Sequence, residues 1–200
     1  MTTDGMEQWI PFSWVYWLCF ICASTIRALH RRRFHQPLPK LDPKELPGML
    51  LSFLGMTVFP LIYTLTDWLA FADYKGTLAM VVSGTLGMIL SVAIISKSHR
   101  DLGAQWTHTP RQVDHPELVV HGIYTTIRHP MYAAHFLWGI SQALLLWNVL
   151  AGFGFLIGFL VFLPLRLSLE ESNLKQTFGE AYTEYAAKTP RFIPRGKRSN

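Results

Sequence analysis

Residues 131–165 read MYAAHFLWGISQALLLWNVLAGFGFLIGFLVFLPL, an almost uninterrupted apolar run with Trp147 and Asn148 near its middle. The halves on either side, about Met131–Leu146 and Val149–Leu165, are long and apolar enough to be membrane-spanning helices. Because only two residues separate these halves, we predict that they pack as an antiparallel helical hairpin. The run therefore favours an all-α, multi-pass transmembrane bundle as the fold class.

Two clusters of polar residues lie at the ends of this hairpin. The N-terminal cluster, residues 121–132, reads HGIYTTIRHPMY, and the C-terminal cluster, residues 166–171, reads RLSLEE. Ionisable groups beside apolar helices are costly in a bilayer, so they are functional candidates by default. The pattern predicts a site at the edge of a membrane.

The composition of the chain agrees with a membrane protein. Of its residues, 50% are apolar and 16% are charged, against roughly 25% charged residues in typical soluble domains. The net charge of +5 is modest, and no basic stretch is interleaved with aromatic residues as on a nucleic-acid surface. Cys19 and Cys22 lie in an apolar run, which favours two small residues on one helix face over a redox or metal site. We predict a single integral membrane domain over residues 1–200.

Three further apolar segments precede the hairpin and bring the predicted number of spans to five. The first ends in a cationic stretch and lacks the cleavage site of a signal peptide, so we predict that it is a span. Residues 34–47 contain four prolines and are predicted to be extended or turning instead of helical. The three segments are about Trp9–Leu29, Gly48–Phe71 and Gly76–Ile95.

Local features inside these spans predict how the helices bend and pack. Pro60 in the second span predicts a kink whose freed backbone groups are satisfied by neighbouring helices. Gly84 and Gly87 in the third span, with Ser83 and Ser91 nearby, predict close helix packing instead of cofactor binding.

The distribution of basic residues predicts the orientation in the membrane. With five spans, the segments 27–47, 96–130 and 166–200 fall on one side and hold 17 of the 18 lysines and arginines, with Lys75 as the exception. Since positive residues remain on the cytosolic side, we place the N-terminus outside and the C-terminus and both polar clusters in the cytosol. A cell inner membrane is the simplest location.

Arg166 and Glu170 lie four residues apart on a predicted helix and can therefore share a face. Spacing alone leaves open whether they form a structural ion pair or a functional one. Glu171 points about 100° away from Glu170, towards a second partner.

The N-terminal cluster has the features of a ligand site. Gly122 before an aromatic residue, and the start of a helix at His129 and Pro130, indicate a close backbone approach to a bulky group. A helix N-terminus favours an anion such as a ligand carboxylate. The histidines lack a zinc spacing, so no metal is predicted. Four aromatic residues either line a pocket or lie at the lipid interface, and both readings stay open: Tyr124, Tyr132, Trp106 and Trp138.

Five short motifs occur in order between residues 97 and 195. They are DLGxxW from Asp101, HGIY from His121, RHPMY from Arg128, RxxxEE from Arg166 and FGxxYxxY from Phe178. Together they resemble the isoprenylcysteine carboxyl methyltransferase family, and the compact five-span size is similar to its prokaryotic members. The resemblance implies an all-helical membrane fold with residues 97–195 as the methyltransferase-like catalytic region. Residues before 95 resemble the family only as a set of spans.

The resemblance also implies a cofactor and a substrate. The implied cofactor is S-adenosylmethionine, and the implied substrate is a lipophilic, prenylcysteine-like molecule that enters sideways from the membrane lipid. The resemblance does not give the oligomeric state. Arg166 and Glu170 would face the reacting centre, and Trp106 and Trp138 would contact the substrate. No role is assigned to His135. The residues implied to contact the cofactor are His121, Gly122, Tyr124, His129, Pro130, Tyr132 and Glu171.

The chemistry of the acceptor leaves two substrate classes open. An α-carboxylate with a pKa of roughly 3.5 is ionised at neutral pH and needs no base. Arg166 would orient it through charge-assisted hydrogen bonds, with Glu170 holding the guanidinium. A lipid amine with a pKa of about 10 must first lose a proton, and Glu170 or His129 would then be the base.

Two readings from other classes stay in view. Sterol-reductase-like membrane enzymes, which use a reduced nicotinamide nucleotide, carry similar arginine, histidine and tyrosine patterns. They usually have Arg-Asp and a cysteine where this chain has Glu170, Glu171 and Leu174. The other reading is a non-catalytic membrane protein in which both polar clusters are structural.

Overall fold

The computed structural model describes residues 10–35, 43–106 and 116–194, and within these ranges the chain is helical with short irregular connections. No strand of a sheet occurs in the described ranges, so the predicted all-α fold class is confirmed. The helices are α1 (Ile10–Arg33), α2 (Leu46–Phe53), α3 (Phe59–Leu65), α4 (Leu78–Leu102), α5 (Pro130–Leu146), α6 (Val149–Phe178) and α7 (Glu180–Lys188).

Four helical segments among the described residues are long and apolar enough to cross a membrane, namely Phe12–Arg33, Leu46–Leu65, Leu78–Gln105 and Val149–Phe178. They correspond to the predicted spans one, two, three and five. The fourth predicted span is α5, which has 17 residues. At a rise of about 1.5 Å per residue α5 is about 26 Å long, close to the lower limit for a span. The chain is thus an integral membrane protein.

The predicted hairpin is present between α5 and α6. Trp147 adopts the left-handed conformation with φ of 40°, and the Asn148 side chain accepts a hydrogen bond from the backbone N–H of Ala151 at 3.0 Å. The Asn148 amide donates to the Leu69 carbonyl at 2.6 Å and to the Asp73 carboxylate at 2.7 Å. These bonds cap α6 and tie the hairpin to the loop between α3 and α4.

Prolines shape the second span. The predicted kink at Pro60 takes the form of a π-helical turn, Leu54–Val58, directly before α3. A wider turn absorbs the hydrogen bond that proline cannot donate. This helix ends at Leu65, earlier than the predicted Phe71. Residues 36–42 of the predicted extended or turning segment 34–47 lie outside the described residues. That prediction is wrong for Pro47, which lies in the first turn of α2. There the missing N–H has no intrahelical acceptor to lose.

Glycines bring the helices into close contact. Gly84 and Gly87 of α4 lie against Ser141 of α5, and a Cβ at Gly87 would lie 2.3 Å from the Ser141 Oγ. The predicted close packing of this glycine pair is confirmed. Gly55 lies in the same way against Gly154 of α6. These contacts fix how α4, α5, α6 and the second span surround the interior.

Candidate active site

A cavity of about 740 Å³ opens between α1, α2, α5, α6 and residues 116–128. Its volume lies within the range of roughly 300–1,000 Å³ that is typical of ligand pockets. One part of the wall is apolar, and one end is polar. The apolar wall contains Phe20, Ala23, Met49, Phe53, Met56, Phe155, Phe159 and Phe162, and the polar end contains Arg128, His129, Tyr132, Arg166, Glu170, Tyr182 and Tyr185.

Arg166 is held at the polar end from two sides. Its Nη1 donates to both carboxylate oxygens of Glu45, at 3.0 and 3.1 Å, and its Nε donates to the Tyr132 hydroxyl at 3.4 Å. The Tyr132 hydroxyl donates in turn to Glu170. Tyr132 therefore connects the two residues that the sequence analysis placed at the reacting centre.

Glu45 was not foreseen from the sequence. It precedes α2, lies 121 residues from Arg166 in the chain and is 1% exposed. Because Glu45 is buried beside the guanidinium, the charge of Arg166 is matched within the protein. The signal in the sequence was a lone acidic residue directly before an apolar span.

His129 lies between two carboxylates at the start of α5. Its Nδ1 is 3.6 Å from Glu170 Oε1, and its Nε2 is 3.2 Å from Glu171 Oε1. Burial lowers the pKa of His129, but the hydrogen bonds and charges of Glu170 and Glu171 raise it by more, so the net pKa lies above its usual value. The ring is therefore held as an imidazolium at a higher pH than a free histidine would be.

The thermal stability of the protein is expected to fall as the pH rises through the pKa of His129. Because this pKa is raised in the folded state, the stabilisation is complete below the unfolded value of about 6.5 and is lost above it. Melting temperatures in detergent between about pH 6 and about pH 9 measure the effect. His129→Gln should have a flatter curve, and a wild-type curve as flat as that of the variant would contradict the assignment.

Glu171 joins the segment after α7 to α6. Its carboxylate accepts from Arg191 Nε at 3.0 Å and from Arg191 Nη2 at 2.6 Å, and it lies 3.4 Å from Arg128 Nη1. The backbone N–H of Arg128 also donates to the Pro190 carbonyl at 2.8 Å. Glu171 thus fixes His129 and closes the polar end, and it lies outside the cavity lining.

Gly122 makes the close approach that the sequence predicted, but its neighbour is Asp101 of α4. Gly122 has φ of +59°, and a Cβ there would lie 2.2 Å from Asp101 Oδ2. The same oxygen accepts from the Ile123 N–H at 2.7 Å. The glycine is therefore required by this internal contact. His121 and Gly122 are both exposed and lie outside the cavity lining.

The two tryptophans predicted to contact the substrate lie in different places. Trp106 lines the cavity, with its ring centroid 4.6 Å from that of His99. Trp138 is fully buried in the core, with its ring 6.0 Å from Tyr16, and it does not line the cavity. Of the other predicted site residues, the structure brings into the lining Tyr124, His129, Pro130, Tyr132, Arg166 and Glu170.

Two tyrosines of α7 complete the polar end. Tyr185 donates to the Tyr124 carbonyl at 2.6 Å, and Tyr182 accepts from Arg128 Nη1 at 3.2 Å. Burial raises the pKa of Tyr185 to about 12, so its phenol stays protonated at neutral pH. These residues belong to the FGxxYxxY motif, which was the available signal for them.

Comparisons with known proteins bear on this site. The model of the isoprenylcysteine carboxyl methyltransferase (ICMT) family matches residues 78–176, which overlap the motif region 97–195. A relative from Oryza sativa subsp. japonica, named "Probable protein-S-isoprenylcysteine O-methyltransferase", is 30% identical over 138 residues, covering 68% of this chain and 72% of the rice protein. The chain belongs to the isoprenylcysteine carboxyl methyltransferase family. The resemblance carried by the five motifs is thereby confirmed.

Matches to other members of the family cover smaller shares of those proteins. Protein-S-isoprenylcysteine O-methyltransferase B of Arabidopsis thaliana is 32% identical over 119 residues, covering 58% of this chain and 57% of the plant protein. The Xenopus laevis protein-S-isoprenylcysteine O-methyltransferase is 26% identical over 200 residues, covering 94% of this chain and 65% of the frog protein. This chain therefore spans less than two thirds of the length of either relative. The solved structure of the eukaryotic intramembrane Ras methyltransferase ICMT aligns with a TM-score of 0.46 and 22% identity over 78% of this chain and 54% of that chain.

Proposed function

We propose that the protein transfers a methyl group from S-adenosylmethionine to the α-carboxylate of a lipophilic, prenylcysteine-like acceptor. One cavity carries this proposal, because its polar end contains Arg166, Tyr132 and Glu170 while its other wall lies among apolar spans. A methyl donor needs a polar environment and an isoprenyl chain needs an apolar one, and methyl transfer requires the two to be adjacent. Membership of the family supports the same reaction.

The polar end suits the methyl donor. Glu170 places a carboxylate where a sulfonium is stabilised by charge, and the rings of Tyr124, Tyr182 and Tyr185 offer faces for stacking an adenine. When bound, S-adenosylmethionine supplies an electrophilic methyl group, which leaves its electron pair on sulfur as an acceptor oxygen forms the new C–O bond. His129 and Tyr132 would hold the cofactor together with Tyr124 and Pro130.

Cofactor contacts by His121, Gly122 and Glu171 stay predictions from the resemblance, since these residues lie outside the lining. Glu171 would contribute to the cofactor site indirectly, because its carboxylate lies 3.2 Å from His129 Nε2 and fixes that ring. A contact of Trp138 with the substrate has no support from its position in the core, whereas Trp106 is placed to make one.

Arg166, Tyr132 and Glu170 form the wall at the reacting centre. Their hydrogen bonds, with Glu45 behind Arg166, fix Tyr132 of α5 against the two side chains of α6. Holding the reacting atoms at about 3–3.5 Å in line is the main contribution a protein can make to a displacement at a methyl carbon. Removal of any member loosens the others.

The contacts of His129 favour a carboxylate acceptor over a lipid amine. An amine must lose its proton before it attacks. Both ring nitrogens of His129 lie against carboxylates, so the imidazolium is favoured and the ring is a poor base. Glu170 already accepts a hydrogen bond from the Tyr132 hydroxyl and faces His129. A carboxylate acceptor is ionised at neutral pH and needs no base.

The orientation proposed from the sequence places this site in the cytosol. Arg128 and Arg166 lie at the polar end of the cavity, Arg191 is paired with Glu171 outside the lining, and all three belong to the segments that hold 17 of the 18 basic residues. The N-terminus would lie outside, as the positive-inside rule indicates. We propose residues 1–200 as a single membrane domain, with residues 97–195 as its catalytic region.

S-adenosylhomocysteine is expected to raise the melting temperature of the detergent-purified protein, and reduced nicotinamide nucleotide is not. A ligand that binds only the folded state stabilises it by mass action, by about 2.7 kcal/mol at a hundredfold excess over Kd. The matching activity assay follows methyl ester formation on S-farnesylcysteine. Stabilisation by the nucleotide alone would support the reductase-like reading, and a response to neither ligand would support a non-catalytic protein.

A further inference from the structure

An arginine of the first span faces the cavity and has no carboxylate partner in the part of the chain that the structure describes. Arg27 lies on α1 within the span Phe12–Arg33 and lines the cavity. Its Nε is buried without a hydrogen-bond partner, and Arg27 takes part in none of the ion pairs among the described residues. A cation inside an apolar span is a candidate for ligand binding by default.

The neighbour of Arg27 does not neutralise its charge. Arg27 Nη2 lies 3.1 Å from His135 Nε2, and His135 Nδ1 lies 2.6 Å from the Met131 carbonyl. An arginine nitrogen can only donate and a carbonyl can only accept, so His135 accepts at Nε2 and carries its proton on Nδ1. His135 is therefore the neutral tautomer, and Arg27 keeps a full positive charge.

Arg27 differs in this respect from Arg166. The charge of Arg166 is matched by Glu45, at 3.0 Å, so an anion approaching Arg166 would also meet that carboxylate. Arg31, one turn further along α1, lines the same cavity and adds positive potential beside Arg27. An anionic ligand is therefore attracted to this face of α1.

Arg27 lies where the polar head of an acceptor with an apolar chain would be placed. His135 follows Tyr132 by three residues on α5, a rise of about 4.5 Å away from the polar end. Its ring packs against Phe155 and Phe159, at centroid distances of 6.3 and 6.0 Å. Arg27 thus lies where the apolar wall meets the reacting centre.

We propose that Arg27 binds the α-carboxylate of the acceptor and selects acidic acceptors over lipid amines. This proposal rests on the proposed function and assigns to Arg27 the anchoring role that the sequence analysis gave to Arg166. A charge-assisted hydrogen bond to a carboxylate is the strong interaction that the Arg27 guanidinium lacks among the described residues. The methyl donor also carries a carboxylate, in its amino-acid part. The test therefore distinguishes binding of the acceptor carboxylate by Arg27 from binding of the donor carboxylate.

The test compares binding of S-farnesylcysteine with binding of its carboxamide, to the wild type and to Arg27→Gln, in the presence of S-adenosylhomocysteine. The wild type is expected to prefer the acid, and the variant to lose about 10- to 100-fold in affinity for the acid alone. Arg27→Lys should recover part of this loss. Arg32→Gln, an exposed residue of the same helix outside the lining, is the matched control and should behave as the wild type.

Equal affinity of the wild type for acid and amide would overturn the proposal, and that comparison needs no variant. So would an unchanged affinity of Arg27→Gln for the acid. If the variant instead loses affinity for S-adenosylhomocysteine and keeps that for the acid, Arg27 binds the methyl donor and the proposal is wrong. Acid binding that depends on Arg27 without methyl ester formation would contradict the proposed function and leave the Arg27 assignment standing.

Discussion

Arg166→Lys is expected to lose about 10- to 100-fold in kcat while its affinity for S-adenosylhomocysteine stays close to that of the wild type. The guanidinium reaches Glu45 with Nη1 and the Tyr132 hydroxyl with Nε at the same time. An ammonium is a single point and cannot span both partners, so arginine and lysine are not equivalent here. The Tyr132–Glu170 contact then loses its support at the reacting centre.

The measurement pairs steady-state kinetics on S-farnesylcysteine with titration of S-adenosylhomocysteine. Arg100→Lys, an exposed residue at the end of α4 outside the lining, is the matched control. Glu45→Gln should reduce kcat in the same direction, because it leaves the buried guanidinium without its carboxylate. Unchanged turnover in Arg166→Lys would remove Arg166 from the reacting centre.

Gly55→Ala is expected to destabilise the protein by about 1–3 kcal/mol, which lowers the melting temperature by several degrees. An added Cβ would lie 2.1 Å from the backbone of Gly154 and Phe155 on α6. Backbone atoms cannot swing aside as a flexible side chain does, so the second span must move away from α6. The apolar wall of the cavity, to which both elements contribute, would widen with it.

Gly154→Ala tests the same helix contact from the other side. Its Cβ would meet Phe59 at 3.0 Å and the Gly55 Cα at 3.1 Å, which a small shift can relieve. We therefore expect a smaller loss of melting temperature for Gly154→Ala than for Gly55→Ala. Equal losses, or none, would contradict the close contact of the second span with α6.

Local sequence patterns were sufficient for the spans and for the hairpin. The apolar runs are long, and Trp147 and Asn148 leave no room for anything other than a tight turn. The sequence located the ends of the helices less well, because the effect of a proline depends on its position. Pro60 distorts the interior of a span, whereas Pro47 is accommodated in a first turn. The π-helical turn at Leu54–Val58 has no signal of its own in the sequence, since it arises from accommodating Pro60 against α6.

The motifs located most of the candidate site but not the use of each residue. Arg166 and Glu170 were identified together, yet spacing along α6 does not show Tyr132 between them. Gly122 was identified as a point of close approach, and the structure shows that Asp101 is what approaches it. Trp138 is an aromatic residue of the kind that lines pockets, but it lies in the core because its face of α5 points towards α1.

The sequence by itself determined that the chain is a helical membrane protein of this family, because hydropathy and short motifs are properties of neighbouring residues. Tertiary structure decided which partner each buried charge meets. Glu45 meets Arg166 across 121 residues, and Arg27 meets His135 across 108. Such pairs depend on how each helix is rotated and packed against the others, and no local pattern records that rotation.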